Sequence, residues 1–234
     1  MYCAACALFP VASHDSGPED RGAVQRGPRQ DDVDASKSEP DCIFLACGGL
    51  VVEIRKLELE GVLLITPSRH GDERGFFSEV FRKDKFEAVA GPVNFVQDNH
   101  SRSSTKGTLR GLHYQSNPAA QGKLVRVTRG AVLDVAVDIR KASPTYGRHV
   151  AVELSAENWQ QLWVPPGFLH GFCTLTDDVE FLYKVTSYYS PECDGAVVFN
   201  DPDLGIKWPF PEDQLTLSAK DKAARRLRDL PPIF

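Results

Sequence analysis

No apolar run in this chain reaches the roughly 18–20 residues that a membrane-spanning helix needs, so the sequence offers no candidate span and a membrane partner is not expected. Basic residues are in deficit, with 27 Lys and Arg against 32 Asp and Glu and a net charge of −5. A nucleic-acid binder usually carries a basic face, so that partner is not expected either. Repeats and low-complexity runs are missing. At 42% hydrophobic and 25% charged residues, with 18 Gly and 16 Pro, the 234-residue chain is neither collagen, coiled coil nor wholesale disorder. It fits one soluble domain, or one domain plus an appendage.

The averages conceal an uneven chain. Residues 1–50 hold eight acidic and four basic side chains, and four of the six cysteines (Cys3, Cys6, Cys42, Cys47). From Ser13 to Asp41 apolar residues are almost absent and neither helical nor strand periodicity is visible. Such a stretch buries too little surface to offset its ordering entropy, so residues 1–50 are expected to be a disordered extension and 51–234 the folded domain. The apolar opening lacks the positive n-region of a secretory signal. The Cys42/Cys47 spacing without a surrounding ribbon is a poor zinc site. Past residue 51 only Cys173 and Cys193 remain, and reduced, cytoplasmic thiols are the expectation. Met1 is the single methionine, and Val51-Val52 directly precedes the first well-patterned segment. A valine codon that initiates translation there would make residues 1–50 an untranslated leader; that reading stands beside a genuine disordered tail.

From residue 53 the pattern is all-β. Leu63-Leu64-Ile65, Lys123 to Thr128, Val132 to Ile139, Val150 to Leu154, Leu162 to Val164 and Phe181 to Tyr189 read as strands, separated by Gly and Pro turns. In the third of these, Asp134 and Asp138 share one face. Many short punctuated strands indicate a sandwich or barrel. Helical signal is weak: one or two turns over Lys83 to Val89, and a C-terminal helix over Ser218 to Leu227 with Ser218 as N-cap.

Gly107 followed by His113, and the P-x-G-x-x-H string Pro165 to His170, resemble the two halves of a cupin signature, which implies a jelly-roll barrel. Metal-binding cupins supply H-x-H and then Glu. Here the second histidine position is Gln115, and Ala119 and Ala120 stand where Glu would fall. A divalent metal prefers imidazole and carboxylate to a carboxamide, so no metal is expected and His113 is free for acid–base work.

The strings Gly71-Asp72-Glu73-Arg74-Gly75-Phe76-Phe77-Ser78-Glu79, Phe95-Val96-Gln97-Asp98-Asn99-His100-Ser101, Leu109-Arg110-Gly111-Leu112-His113-Tyr114-Gln115 and Asn200 to Pro209 resemble the dTDP-4-dehydrorhamnose 3,5-epimerase family. So do Lys123 to Val127 and Pro165 to Phe172, and the likeness runs in order from about residue 53 to 230. The first 50 residues match nothing in that family. The resemblance implies epimerisation at C3 and C5 of a 4-keto-6-deoxyhexose carried on dTDP, in dTDP-L-rhamnose synthesis. Both carbons lie α to the C4 ketone, so the chemistry needs a base on one face, an acid on the other and a cation near O4, with no cofactor.

Residue by residue, the resemblance implies His113 as base, Asp221 as the carboxylate that orients it, Lys123 as the enolate-stabilising cation and Tyr183 as the acid. It implies substrate contacts at Arg74, Gln97, Asn99, Arg110, His170 and Lys220, with Arg110 near the diphosphate, as suits a guanidinium fork. Phe77 and Glu79 match residues that reach the thymidine from a neighbouring subunit of a homodimer, and Tyr189 is an aromatic able to stack on the base. Each has a plainer reading. Tyr183 alone would be a core aromatic, Lys123 a solvated strand end, Asp221 a helix N-terminal acid. Two other functions stay open. A monofunctional 3- or 5-epimerase, or a ketoisomerase, on a related dTDP-sugar keeps the same base. A non-catalytic nucleotide-sugar binding protein would dispense with His113 or Lys123 and keep Arg74 and Arg110.

Overall fold

The computed structural model describes residues 42–47 and 50–234, and over them the chain is a two-sheet jelly-roll. In chain order the first strands are β1 (Cys42–Cys47), β2 (Leu50–Lys56), β3 (Leu63–Pro67), β4 (His70–Asp72) and β5 (Gly75–Phe77). After helix α1 (Lys83–Ala90) come β6 (Gln97–Ser103), β7 (Leu109–Gln115), β8 (Lys123–Arg129), β9 (Ala131–Asp138) and β10 (His149–Ser155). The last are β11 (Gln161–Val164), β12 (Phe168–Thr174), β13 (Val179–Val185) and β14 (Asp194–Ala196), followed by helix α2 (Ala219–Lys222). One sheet runs β1-β2-β3-β11-β8-β13-β6 and the other β10-β9-β12-β7-β14; β4 and β5 pair only with each other.

The main core lies between the sheets. Val125, Val127, Leu162 and Phe181 from one meet Val132, Ala136, Leu154 and Phe172 from the other. A second cluster, with Val135, Val137, Leu169 and the C-terminal Leu227 and Leu230, covers the back of the smaller sheet. A third, with Ile54, Leu63, Ile65, Leu124 and Trp163, is covered by Phe86 of α1. Several strands are therefore apolar on both faces, which is why all seven residues of β12 are buried.

The strands expected over residues 63–65, 123–128, 132–139, 150–154 and 162–164 are present, as is α1. Three expectations need correction. Ser218 does cap a C-terminal helix, accepting from the Asp221 N–H at 3.1 Å, but the helix is a single turn. It stops because Arg225 bridges to Val197, and the Leu227 N–H is drawn to the Asp201 carboxylate at 2.6 Å. The strand expected through Tyr189 ends at Val185. Ordered structure also reaches ahead of residue 51: β1 pairs with β2 from Cys42↔Arg55 to Cys47↔Leu50, because the β-prone Ile43-Phe44-Leu45 segment finds the open edge of β2. The disorder expected over residues 13–41, and the Cys3/Cys6 pair, lie outside the described residues.

One close approach sets up the site. Gly111 on β7 has φ +121°, and a Cβ there would sit 2.6 Å from Cα of Gly171 and 2.8 Å from the His170 carbonyl oxygen on β12. Only glycine lets the two strands come together here, and the register shifts between His170 and Phe172 where they do. Gly111→Ala is expected to lower unfolding free energy by about 2–4 kcal/mol in urea titrations. Gly205→Ala, at φ +60° in open space, is expected to cost about 1 kcal/mol.

Candidate active site

Towards one end of the sandwich the inward-facing positions change from apolar to polar, and a cavity of about 510 Å³ opens between the sheets. The smaller sheet contributes Arg110 and His113 from β7 and His170 from β12; the larger contributes Ser101, Lys123 and Tyr183 from β6, β8 and β13. The segment Ser218 to Asp221 closes the rim and brings in Lys220. All four expected catalytic residues, with Arg110, His170 and Lys220, thus line one space.

His113 and Asp221, 108 residues apart in sequence, meet with Nε2 2.6 Å from Oδ1. Burial pushes the Asp221 carboxyl up. The His113 hydrogen bond and charge, the Ser218 hydroxyl and a backbone bond from Gly111 outweigh it and hold the group below its ordinary value. With Asp221 ionised and accepting from Nε2, Nδ1 is the ring nitrogen left to take a further proton. A second pair sits on the same wall. Buried His170 has Nε2 2.9 Å and 3.1 Å from the two oxygens of fully buried Asp134.

Across the cavity, Lys123 has no carboxylate within ion-pairing distance among the described residues, and burial pushes its ammonium down to about 8 against the opposing charges of Asp134 and Asp194. Burial raises the Tyr183 phenol, with nearby Arg110 pulling the other way, so the hydroxyl stays protonated at neutral pH. Arg110 is held by neutral groups. Its Nε donates to Ser103 Oγ at 3.1 Å and a terminal nitrogen donates to the Arg102 carbonyl at 3.3 Å. Its positive charge is left for a ligand. Gln115 points none of its polar atoms at the cavity: its amide donates to the Ala119 and Tyr188 carbonyls and accepts from the Ser190 N–H. Among the described residues no group of three or more His, Cys, Asp or Glu is placed to hold a metal.

Six other expected binding residues do not line this cavity. Gln97 and Asn99 lie on β6 beyond Ser101, joined by a 2.8 Å bond, with Asn99 paired to Tyr183 in the sheet. Tyr189 is exposed at the mouth, where its N–H donates to Gln97 Oε1 at 3.3 Å. Arg74, Phe77 and Glu79 belong to a projecting arm made by β4, β5 and the residues after them. The Arg74 side chain is 83% exposed and paired with Asp72, Phe77 is 62% exposed, and Glu79 accepts from Lys85 at 3.3 Å. Two contributors escaped the sequence reading. Asp134 was seen only as half of a face, although an acid inside an apolar strand is a signal of a buried partner. Asp194 ties the mouth together, accepting from the Tyr189 hydroxyl at 3.2 Å and from the Lys220 ammonium.

The arrangement can remove a proton from one face of a bound carbon acid, stabilise the resulting oxyanion and return a proton from the other face. Comparison with known proteins agrees. The family model described as dTDP-4-dehydrorhamnose 3,5-epimerase matches residues 56–229. The Salmonella typhimurium protein of that name is 57% identical over 171 residues, which is 72% of this chain and 92% of that protein. A dTDP-6-deoxy-D-glucose-3,5-epimerase from Legionella pneumophila, solved in complex with dTDP-4-keto-L-rhamnose, superposes with a TM-score of 0.74 at 49% identity. The match covers 77% of this chain and 95% of that one. A 3'-monoepimerase from Streptomyces bikiniensis, solved with dTDP-quinovose, gives a TM-score of 0.68 at 39% identity, covering 74% and 86% of the two chains.

The state of Lys123 has a consequence for stability. Its folded value, about 8, lies below the ordinary 10.5, so the fold carries the cost of a buried ammonium below pH 8 and sheds it as pH rises from 8 to 10.5. Lys123→Met is therefore expected to be more stable than the parent at pH 7, on the order of 2–3 kcal/mol, with the difference fading by about pH 10.5 in urea titrations across pH.

Proposed function

The chain belongs to the dTDP-4-dehydrorhamnose 3,5-epimerase family, and on that premise we propose that it converts dTDP-4-dehydro-6-deoxy-D-glucose to dTDP-4-dehydro-L-rhamnose by inverting C3 and C5. One observation carries the assignment of roles: the His113–Asp221 pair and the Tyr183 phenol stand on opposite walls of one cavity, with the Lys123 ammonium between the sheets.

In this reading Nδ1 of His113 takes the proton from the carbon next to the C4 ketone, and Asp221 stabilises the imidazolium that forms. The electron pair of the broken C–H bond moves to O4 as an enolate, which Lys123 stabilises by charge and hydrogen bonding. Tyr183 then delivers its phenolic proton to the opposite face of the same carbon. Imidazolium and phenolate are reset by proton exchange with solvent, and the cycle repeats at the second carbon. No cofactor enters the proton balance. Arg110 takes the diphosphate, and His170, kept in place by Asp134, faces the sugar. Gln97, Asn99, Tyr189 and Lys220 form the polar mouth through which the nucleotide lies.

The arm supports a homodimer. Arg74, Phe77 and Glu79 sit outside the cavity of their own protomer, as side chains that serve a partner's nucleotide would. The proposed compartment is the cytoplasm; among the described residues no helix is long and apolar enough to cross a membrane.

The test is turnover of dTDP-4-keto-6-deoxyglucose in D2O followed by NMR. Deuterium at both C3 and C5 is expected, and His113→Ala is expected to slow label uptake at both carbons by on the order of 10²–10⁴. Label at a single carbon would replace this reading with that of a monoepimerase, the activity of the Streptomyces bikiniensis relative. Unimpaired uptake by His113→Ala would remove His113 as the base.

A further inference from the structure

The arm is a structural outlier: β4 and β5 hydrogen-bond to neither main sheet, and every residue in both strands is exposed. Its direction therefore depends on what grips its base. That grip is centred on Trp159, in the loop joining β10 to β11. The Trp159 indole stands edge-on to Phe76 of the arm, with ring centroids 5.1 Å apart and planes at 82°. Its Nε1–H donates to Ser78 Oγ at 2.9 Å, and the Ser78 hydroxyl donates in turn to the Ser68 carbonyl at 2.8 Å across the base of the arm. Arg69, at the arm's start, lies 5.3 Å from the indole centroid and donates to the Glu157 carbonyl at 2.8 Å. The guanidinium of Arg126 on β8 lies 5.6 Å from the same ring, so the indole is in contact with two cations.

Trp159 also has φ +59°, a left-handed conformation that a bulky side chain rarely adopts. The loop enforces it. The Ser155 N–H donates to Asn158 Oδ1 and the Asn158 N–H to Ser155 Oγ, both at 3.0 Å. The Asn158 side-chain amide reaches back to the Glu153 carbonyl at 2.8 Å, and the Gln160 N–H adds a 3.0 Å bond to Asn158 Oδ1. A turn this fully hydrogen-bonded holds residue 159 left-handed and aims its side chain at the arm. A core aromatic needs no such device, and Phe76, the ring it grips, is itself 56% exposed.

We propose that Trp159 is a positioning residue: clamped by the Ser155–Asn158 turn, it fixes the projection of the arm and so presents Arg74, Phe77 and Glu79 to the nucleotide bound by a second copy of the chain. This rests on the proposed role of the arm in the partner's site. Trp159 touches no reacting atom. Its contribution falls on binding of the nucleotide, remote from C3 and C5, and so on KM rather than kcat.

The experiment compares Trp159→Gly, Trp159→Phe, Arg74→Ala and Phe77→Ala for steady-state kinetics, sedimentation and thermal unfolding. Glycine adopts φ +59° without strain, so Trp159→Gly removes the indole while relieving the backbone. It is expected to stay folded and dimeric, with KM for the dTDP-sugar raised on the order of tenfold and kcat within about twofold. Trp159→Phe keeps the edge-to-face contact and is expected to recover most of the loss. A folded, dimeric Trp159→Gly with unchanged KM, beside a raised KM in Arg74→Ala, overturns the positioning role alone. Unchanged KM in Arg74→Ala and Phe77→Ala overturns the arm reading, and with it this proposal, whatever Trp159→Gly does. If Trp159→Gly does not fold, Ser78→Ala and Trp159→Phe decide the matter: the first removes the hydroxyl that joins the indole N–H to the Ser68 carbonyl, the second removes the N–H itself and keeps a ring against Phe76. A KM rise of about two- to threefold in both supports the proposal, and unchanged KM in both overturns it.

Discussion

A strand in a closed two-sheet sandwich sends only alternate side chains inward, so each group placed in the cavity takes a position from the core. On β8 the inward set is Lys123, Val125 and Val127; on β13 it is Val179, Phe181 and Tyr183. On β9 Asp134 shares the inner face with Val132 and Ala136. The same register that packs one end of the barrel with Val and Phe carries charged and phenolic groups at the other. The walls are then fixed by the ladders. His113 and Tyr183, the proposed base and acid, cannot drift towards each other, because each is held by a strand hydrogen-bonded on both sides.

Charge within the cavity is divided unevenly. Three carboxylates near it are already engaged: Asp221 with His113, Asp134 with His170, and Asp194 with Lys220 and Tyr189. Arg110 rests on a hydroxyl and a carbonyl, and among the described residues Lys123 has no ion-pair partner. The space is thus left with two cations whose counter-charges must come from the ligand, which suits a diphosphate at one and a developing enolate at the other. The low value of Lys123 comes from burial, which outweighs the charges of Asp134 and Asp194 because both carboxylates are committed to other partners.

How much of this was legible in the sequence varied with how much packing each residue does. The strands β3, β8, β9, β10 and β11 carry alternating or continuous apolar runs and were readable. β6 was not, because Gln97-Asp98-Asn99-His100-Ser101-Arg102-Ser103 has no apolar residue to mark a period. Its half-buried positions are polar, with Ser101 in the cavity and Gln97 and Asn99 beyond it, and polar positions leave no period to read. β1 was hidden by the acidic segment just before it. The C-terminal helix was overextended because Asp201, which ends it, is distant in sequence. The roles of His113, Lys123, Tyr183 and Asp221 came from family motifs; spacing alone would not join residues 113 and 221. The Asp134–His170 pair and the grip of Trp159 on the arm needed coordinates, since both depend on contacts between elements far apart in the chain.

The placement of the proposed catalytic groups on strands also bears on how one site would serve two carbons. His113, Lys123 and Tyr183 sit on β7, β8 and β13, none of them on a loop free to swing between two poses. C3 and C5 flank C4, so under the proposed roles a sugar anchored through O4 at Lys123 would present either carbon to the same base and acid by a modest turn of the ring. The moving part would then be the substrate, and the room allowed to it would decide how many carbons react. Enzymes that invert one carbon or two can accordingly share this fold and this acid–base pair. On this reading what separates them is the shape of the cavity around the sugar and the hold on the nucleotide, the part proposed for the arm and the mouth residues.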